Sequence, residues 1–430
     1  MSETIAVAVF VIAYIAIASE KVDRVVIALA GAGALLALRV VDLHDALHSE
    51  STGIDWAVLL LLFGMMVIVG VLARTGAFEY LGIWTAKKAR GRPFAIMAWF
   101  IVLTAVASAL LDNVTTVLLV APVTAAVTAR LGVPLVPYLI AEALASNIGG
   151  SATLVGDPPN IVIGSRAGLS YADFLFNLAP LVVVLLAIFV LMSRVLFRRS
   201  FAVDERRVAD LMALEPRQSI TDVRLLVQGC AVLVAVTVAF TLAEVIHIEP
   251  AVIAALGAGA LLLIARRDPV PFLREVEWPT LAFFAGLFIM VGALVKVGAV
   301  DHVAKALADV TGGHTMTAAI VLVWGSGLLS AVVDNIPYVA TMTPVVAQMT
   351  ADLPAGAHPQ ILWWALALGA DLGGNATIIG ASANVVIAGT AARQGHPISF
   401  GTFARYGVPT AVVTLAVSTL YIWLRYSLLA

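Results

Sequence analysis

The side chains that could do chemistry in this 430-residue chain are concentrated in four short polar segments, each of which interrupts a long apolar run. Two of them begin with Asp-Asn: DNVTT at residues 112–116 and DNIPY at residues 334–338. The other two carry a glycine pair with amides and hydroxyls: SNIGGSATLVGDPPN at 146–160 and ADLGGNATIIGASAN at 370–384. Because polar groups are costly in apolar surroundings unless they are bonded, these segments are candidate binding sites.

Neutral hydrogen-bonding groups in these segments could form a binding site. The candidate substrate-binding residues are Asn113, Thr115, Thr116, Asn147, Gly150, Ser151, Thr153, Asn160, Asn335, Asn375, Thr377 and Asn384. Gly150 belongs to this set because a glycine pair permits an unwound backbone with free carbonyl and N–H groups. The structural alternative is that each Asn, Ser or Thr only satisfies backbone groups freed at a helix break.

Four carboxylates could carry a proton, since burial favours the neutral form of a carboxyl group. They are Asp112, Asp334, Asp371 and Asp157. Asp112 and Asp334 are also suitable N-caps for the helices that follow them. The four segments contain no Lys or Arg, so we expect a substrate that is neutral or cationic, or an anion held by helix dipoles and amides.

The composition requires a lipid environment around these segments. Hydrophobic residues make up 61% of the chain and charged residues 12%, with a mean hydropathy of +1.02. Soluble domains carry about 25% charged residues, so we exclude a soluble enzyme and a disordered chain and expect a polytopic membrane protein without cofactor, metal or nucleic-acid partner. The single cysteine, Cys230, lies outside the polar segments, and we expect it to be a buried small hydrophobic residue that is dispensable.

The apolar runs are unbroken and therefore favour helices over barrel strands. Two pairs of runs are joined only by the Asp-Asn segments, which predicts re-entrant hairpins at 94–129 and 315–350. The glycine pairs predict broken helices at 137–165 and 360–392. Ten spans then remain, and the 25 Lys and Arg residues divide 20 to 5 between the two faces.

The basic excess orients the chain in the membrane. The positive-inside rule makes the richer face cytoplasmic, so both termini lie outside, the first hairpin opens to the cytoplasm and the second opens outward. Segment 197–224 contains 11 charged residues and is predicted to be a cytoplasmic linker. We therefore expect a multi-pass protein of the inner (plasma) membrane.

An internal repeat determines the predicted architecture. The segment DWAVLLLLFGMMVIVGVLARTGAFE (55–79) recurs as EWPTLAFFAGLFIMVGALVKVGAVD (277–301), 222 residues later. The glycine-pair segments match at an offset of 224 residues. We expect a first repeat at 1–196 and a second at 225–430, each with five spans, one hairpin and one broken helix. Because five is odd, the two repeats run in opposite directions, as in many secondary transporters.

The quoted motifs resemble the ion transporter superfamily. DNVTTVLLVAPVT, EALASNIGGSATLVGDPPNIVI and DNIPYVATMTPV are similar to the branch that contains the ArsB permeases and the P protein, and the resemblance covers essentially the whole chain. It implies a two-domain, elevator-like secondary transporter and a homodimer, and it admits a soluble ATPase partner that no sequence feature requires. Carboxylate importers of the superfamily carry Ser-Asn-Thr at the hairpin tips, whereas this chain carries Asp-Asn, which argues against a sodium-coupled dicarboxylate carrier.

The resemblance makes proton-coupled efflux of arsenite and antimonite the leading hypothesis. Arsenous acid is neutral near neutral pH and carries hydroxyl groups, so amides and hydroxyls could recognise it without thiolates, in agreement with the single cysteine. The alternatives are a sodium/proton antiporter that uses the same acids as cation ligands, and an anion transporter or channel. The sequence does not separate these three functions.

Overall fold

The structure is a computed structural model that describes residues 2–19, 21–49, 51–201, 205–212, 215–353 and 358–427. The described residues form helices and connecting loops without a strand, which confirms the predicted all-α class. The first half contains α1 (Ser2–Ala18), α2 (Arg24–Ala37), α3 (Leu43–His48), α4 (Trp56–Ala73), α5 (Ala77–Lys88), α6 (Pro93–Leu110), α7 (Asn113–Leu131), α8 (Leu135–Gly150), α9 (Pro158–Ala167), α10 (Tyr171–Asn177) and α11 (Ala179–Leu196).

The remaining helices follow a charged connecting segment. They are α12 (Glu205–Met212), α13 (Val223–Thr241), α14 (Ala243–Ile246), α15 (Pro250–Ala265), α16 (Val270–Leu273), α17 (Trp278–Lys296), α18 (Ala299–Thr311), α19 (Thr315–Ser330), α20 (Asn335–Ala351), α21 (Gln360–Gly373), α22 (Ser382–Arg393) and α23 (Phe400–Ser427). The predicted linker 197–224 includes residues 202–204 and 213–214, which lie outside the described part of the chain.

Local sequence explains where the long helices begin. Asp23, Asp55 and Asp222 each accept a hydrogen bond from a backbone N–H in the first turn of α2, α4 and α13, at 2.8, 3.1 and 2.9 Å. Proline is the first residue of α6 and of α9, where a missing N–H costs nothing. These caps fix helix ends at the places where the apolar runs start.

Seven helices of the described residues are long and apolar enough to cross a bilayer alone: α4, α6, α7, α11, α13, α17 and α23. The pair α18 and α19, which bends by 115°, would add an eighth span. Three of the ten predicted spans correspond to shorter apolar helices, namely α1, α2 and α15. A helix of the length of α2 rises about 21 Å, which is less than the ~30 Å thickness of a hydrocarbon core.

The helices form two groups, and each group contains helices from both halves of the chain. The scaffold group comprises α1, α2, α4, α13, α15 and α17, in which α2 packs along α17 and α4 along α15. Repeat-matched glycines permit these crossings: a Cβ on Gly64 would lie 2.7 Å from the backbone of Ala254, and one on Gly286 would lie 2.8 Å from that of Ala28. Both of these crossings therefore join one half of the chain to the other.

The second group carries the polar segments. We call it the hairpin group, and it comprises α6 to α9, α11 and α19 to α23. Helix α8 packs along α6, and α21 along α19, so closely that a Cβ on Gly149 would overlap the backbone of Ala105 and one on Gly373 that of Gly327. Helices α5 and α18 contact both groups.

Cys230 lies on α13 in the scaffold group and is exposed on the outer surface of the protein. The prediction that it is buried is therefore wrong. Because α13 contributes only a few buried residues, most of its apolar surface faces outward, where lipid would contact it.

Candidate functional site

Two capped turns and two helix breaks position the predicted site residues. Asp112 separates α6 from α7 and accepts a hydrogen bond from the Thr115 N–H at 2.7 Å. Asp334 precedes α20 and accepts one from the Ile336 N–H at 3.1 Å. Both carboxylates therefore act as N-caps, and Thr115 contributes its backbone to the first of them.

Matching hydrogen bonds tie each hairpin to the adjacent broken helix. The hydroxyl of Ser108 donates to the Ser146 carbonyl, and that of Ser330 to the Ala370 carbonyl, each at 2.7 Å. The predicted residues Thr153 and Thr377 likewise donate to carbonyls of α6 and of the turn after α19, both at 2.6 Å. These hydroxyls hold hairpin and break together in both halves.

Two repeat-matched amides hold the breaks in shape. The Asn160 side chain donates to the carbonyls of Gly150 and Thr153, at 3.3 and 3.1 Å. The Asn384 side chain donates to the equivalent carbonyls of Gly374 and Thr377, both at 2.8 Å. Each amide therefore satisfies two carbonyls that the unwound backbone leaves free.

Six of the predicted side chains form one buried network across the two halves, which we call the central network. Its members are Asn113, Asn147, Asp157, Asn335, Asn375 and Asn384.

Asn147 and Asp157 are the two branch points of the central network. The Asn147 amide donates to Oδ1 of Asn375 at 3.0 Å and to Oδ1 of Asn384 at 3.1 Å, and its own Oδ1 accepts from Asn113 at 3.2 Å. Oδ2 of Asp157 accepts from Asn113 at 2.8 Å and from Asn335 at 3.2 Å. Both hairpin tips therefore meet at a single carboxylate oxygen of the first broken helix.

Several buried polar atoms near this network have no hydrogen-bond partner among the described residues. Those of predicted site residues are Oδ1 of Asn113, Oγ1 of Thr116, Oδ1 of Asp157, Oδ1 of Asn160, both carboxylate oxygens of Asp371 and Nδ2 of Asn375. Asp371 is fully buried and interacts electrostatically with Asp157. Buried carboxylate oxygens with few donors are costly, and a bound proton or cation would lower that cost.

Ser151 and Glu142 lie on the same broken helix but outside the network. The hydroxyl of Ser151 donates to the Asn147 carbonyl at 2.9 Å. Glu142 is fully buried, accepts a hydrogen bond from the Thr124 hydroxyl and leaves Oε2 without a partner among the described residues. Glu142 is a further buried acid of the hairpin group, in addition to Asp157 and Asp371.

Arg24, which lies outside the four polar segments in the sequence, contacts the second hairpin. Its Nη1 lies 2.9 Å from Oδ2 of Asp334 and donates to the Ser382 hydroxyl at 2.5 Å. Ser382 in turn donates to the same carboxylate oxygen at 2.6 Å. Asp112, the repeat-matched acid, has no ion-pair partner within the part of the chain that the structure describes.

A cavity of about 510 Å³ lies beside this ion pair, between the scaffold group and the hairpin group. We call it the Arg24 cavity. Its polar lining residues include Arg24, Glu277, Thr280, Asp334 and Ser382, and its remaining walls are mostly aliphatic. A few charged and polar side chains in an otherwise apolar cavity are typical of a site for a small molecule.

Sequence reasoning missed Arg24, Ser382 and Glu277 as site residues. Ser382 stands inside the quoted GASAN motif and could have been chosen from it. Arg24 lies at the start of an apolar run, and Glu277 directly precedes one. Charged residues at these positions are equally typical of the ordinary flanks of an apolar helix. Their role depends on the hairpin tip that packs beside them.

Comparisons with known proteins agree with this architecture. A family profile described as "CitMHS: Citrate transporter" matches residues 14–369. The chain is 50% identical over 422 residues to a 46 kDa membrane protein of Mycobacterium leprae, with 98% of each chain covered. It is 35% identical to the human P protein over 497 residues, which covers 97% of this chain and 59% of that protein.

A solved structure shares the fold. The YdaH transporter of Alcanivorax borkumensis, whose topology is described as unusual, superposes with a TM-score of 0.60 at 14% identity, covering 94% of this chain and 97% of that one. The family match spans most of the chain, and seven helices of the described residues are long and apolar enough to cross a membrane. This chain therefore belongs to the CitMHS citrate transporter family and is a multi-pass membrane transporter.

Proposed function

We propose that the protein is a secondary transporter that exports arsenite and antimonite in exchange for protons. The observation that carries this proposal is the central network, in which amides of both hairpins donate to the Asp157 carboxylate and are linked through Asn147 to amides of the second broken helix. Such a network offers many donors and acceptors around a group that can gain or lose a proton. It therefore suits exchange of a neutral hydroxylated solute for a proton.

The chemistry of the network favours a neutral substrate. Its six members are five Asn and one Asp, so it offers no positive charge to an anion. The hydroxyl groups of arsenous acid could donate to the unpartnered oxygens of Asn113 and Asn160 and accept from the unpartnered amide of Asn375. The hairpin tips would have to separate from Asp157 to admit the solute, because they contact it directly here.

We assign proton coupling first to Asp157 and Asp371. Both are fully buried, and three of their four carboxylate oxygens lack a partner among the described residues. Asp334 is paired with Arg24, and Asp112 caps α7, so each of these has another function in this conformation. A proton on Asp157 or Asp371 would be released when substrate or solvent reaches the network.

Alternating access would follow from movement of the hairpin group along the scaffold group. The two groups meet at the Arg24 cavity, which would open to the cytoplasm in the orientation that the basic excess predicts. We accordingly propose an inner-membrane location, both termini outside, a cytoplasmic linker at 197–224 and re-entrant hairpins at 94–129 and 315–350. A homodimer and a soluble ATPase partner stay proposals from the family resemblance.

One observation favours a second substrate class. Arg24 lines the cavity beside the second hairpin tip, and a guanidinium can pair with a carboxylate of an entering anion. Since the matching family is described as citrate transporters, citrate is the second candidate. The sodium/proton antiporter and the anion channel are the remaining alternatives, because the same acids could ligate sodium and a channel would need no coupling proton.

Flux measurements in proteoliposomes separate these functions. We expect arsenite efflux that is driven by an inwardly directed proton gradient and is independent of sodium. Citrate flux without arsenite flux would identify citrate, the second candidate, as the substrate. Sodium-proton exchange alone, or chloride conductance that ignores the pH gradient, would overturn proton-coupled arsenite export.

A further inference from the structure

The Arg24–Asp334–Ser382 contact crosses the boundary between the two helix groups. Arg24 is the first residue of α2 in the scaffold group, whereas Asp334 and Ser382 belong to the second hairpin and to α22. The carboxylate is only 12% exposed and the guanidinium 30% exposed. An ion pair this sheltered from solvent is less screened than a surface pair, so it resists relative movement of the two groups.

Among the described residues, this contact has no equivalent ion pair in the other half of the chain. The motif GAGALL at 31–36 recurs at 257–262, which makes Pro250, the first residue of α15, the counterpart of Arg24. A repeat-related cavity of about 520 Å³ lies at that end and includes Pro250 in its lining. At that cavity the two groups are joined by a hydrogen bond with a neutral donor. The Ser165 hydroxyl of α9 donates to Asp55, the N-cap of α4, at 2.5 Å.

A second acid lines the Arg24 cavity within electrostatic reach of the guanidinium. Glu277 precedes α17, and its Oε2 accepts a hydrogen bond from the Thr280 hydroxyl at 3.0 Å. Both residues are fixed to the scaffold group, so Glu277 keeps its place near Arg24 when the hairpin group moves. Glu277 can accept the guanidinium once Asp334 has left, whereas Asp23, which also lines the cavity, caps α2.

We propose that Arg24 is a positioning residue that locks the second hairpin in the conformation described here through Asp334 and Ser382, and that Glu277 receives the guanidinium when the lock opens. The inference rests on the proposed movement between the two helix groups. Because only one half of the chain carries the lock, it stabilises one end state of the transport cycle over the other. The substrate does not enter this argument, so the lock is independent of which solute is carried.

Cysteine accessibility tests the lock without any transported substrate. Val385 lines the Arg24 cavity and is 40% exposed, so Val385→Cys in a Cys230→Ala background reports on this conformation. Labelling by a membrane-impermeant maleimide is measured on inside-out vesicles. Arg24→Gln is expected to slow labelling about fivefold, because loss of the ion pair shifts the population away from the locked state.

Two further variants distinguish a lock from a general loss of structure. The exchange of charges in Arg24→Asp with Asp334→Arg should restore fast labelling, which a merely damaged fold would not do. Glu277→Gln should leave labelling as fast as in the parent or faster, since the unlocked conformation then loses the carboxylate that accepts the Arg24 guanidinium. Slowing by Glu277→Gln would overturn the assignment of that residue.

The matched control is Arg74→Gln. Arg74 pairs with Glu275 at 2.9 Å on the same side of the protein, but it is half-exposed and both partners border scaffold helices. In the Arg74→Gln variant, Val385→Cys should be labelled at the same rate as in the parent. Equal labelling of Arg24→Gln and the parent would overturn the lock, whereas a normal labelling shift in a protein that exports no arsenite would overturn only the proposed substrate.

Discussion

The role of Asp157 can be tested by removing its ability to titrate while keeping its shape. In Asp157→Asn the remaining oxygen can still accept from Asn113 and Asn335, and the new amide would point toward the position of the unpartnered Oδ1. Asp371, which interacts electrostatically with Asp157, carries two oxygens without a hydrogen-bond partner among the described residues. We therefore expect a folded protein whose arsenite efflux no longer responds to the pH gradient.

The magnitude of the stability change reports the charge that Asp157 carries. A hydrogen bond to a charged group contributes about 1.5–3 kcal/mol and one between neutral groups about 0.5–1.5 kcal/mol. With two such bonds on Oδ2, Asp157→Asn should cost about 2 kcal/mol if the carboxylate is ionised, and close to nothing if it is protonated. Asp157→Ala should cost more in either case, because the Asn335 amide is left buried without an acceptor.

The assay is arsenite flux in proteoliposomes over a series of imposed pH gradients, combined with chemical unfolding in detergent. The control is Asp42→Asn, the same substitution at an exposed N-cap far from the network, which should keep the wild-type gradient dependence. Undiminished pH-driven efflux by Asp157→Asn would refute the coupling role. The unfolding data would show whether a loss of arsenite flux results from a loss of the folded structure.

Three further changes test other parts of the structure. Asn113→Ala and Asn335→Ala should each lower arsenite flux more than about tenfold (about 1.4 kcal/mol) with little loss of folded protein, because each removes one donor to Asp157; unchanged flux in both would make these amides structural. Gly149→Ala should destabilise by about 1–3 kcal/mol, since its Cβ would overlap the Ala105 backbone, whereas Gly259→Ala on α15 has open space and should not; equal unfolding of the two variants would contradict this packing. Cys230→Ala should change neither arsenite resistance nor stability beyond about 0.5 kcal/mol, because the thiol is exposed on the scaffold surface; lost resistance at normal expression would point to thiolate chemistry.

Much of the fold follows from local sequence. The Asp112 and Asp334 caps begin α7 and α20, and the glycine pairs end α8 and α21 close to the predicted breaks. An N-cap or a glycine pair acts on the backbone within a few residues, so its effect can be read without knowing what packs nearby. The membrane class follows in the same way, since a charged fraction of 12% cannot cover a soluble surface.

The partners within the site depend on the tertiary structure. Asn147 bonds to Asn375 and Asn384, which lie 228 and 237 residues away, and Arg24 reaches Asp334 over 310 residues. Which side chains meet depends on how each helix is rotated about its axis and on how deep each break lies. Those two quantities are fixed by close crossings such as Gly149 against Ala105, not by the residues that neighbour each polar group in sequence.

The acids illustrate this division most directly. The sequence alone identified Asp112, Asp157, Asp334 and Asp371 as carboxylates inside polar segments of apolar runs. Only the packed structure separates Asp334, paired with Arg24, from Asp371, whose oxygens have no partner among the described residues. The physical reason is that a carboxylate's charge state depends on burial and on the donors around it, and both are supplied by helices that are distant in the chain.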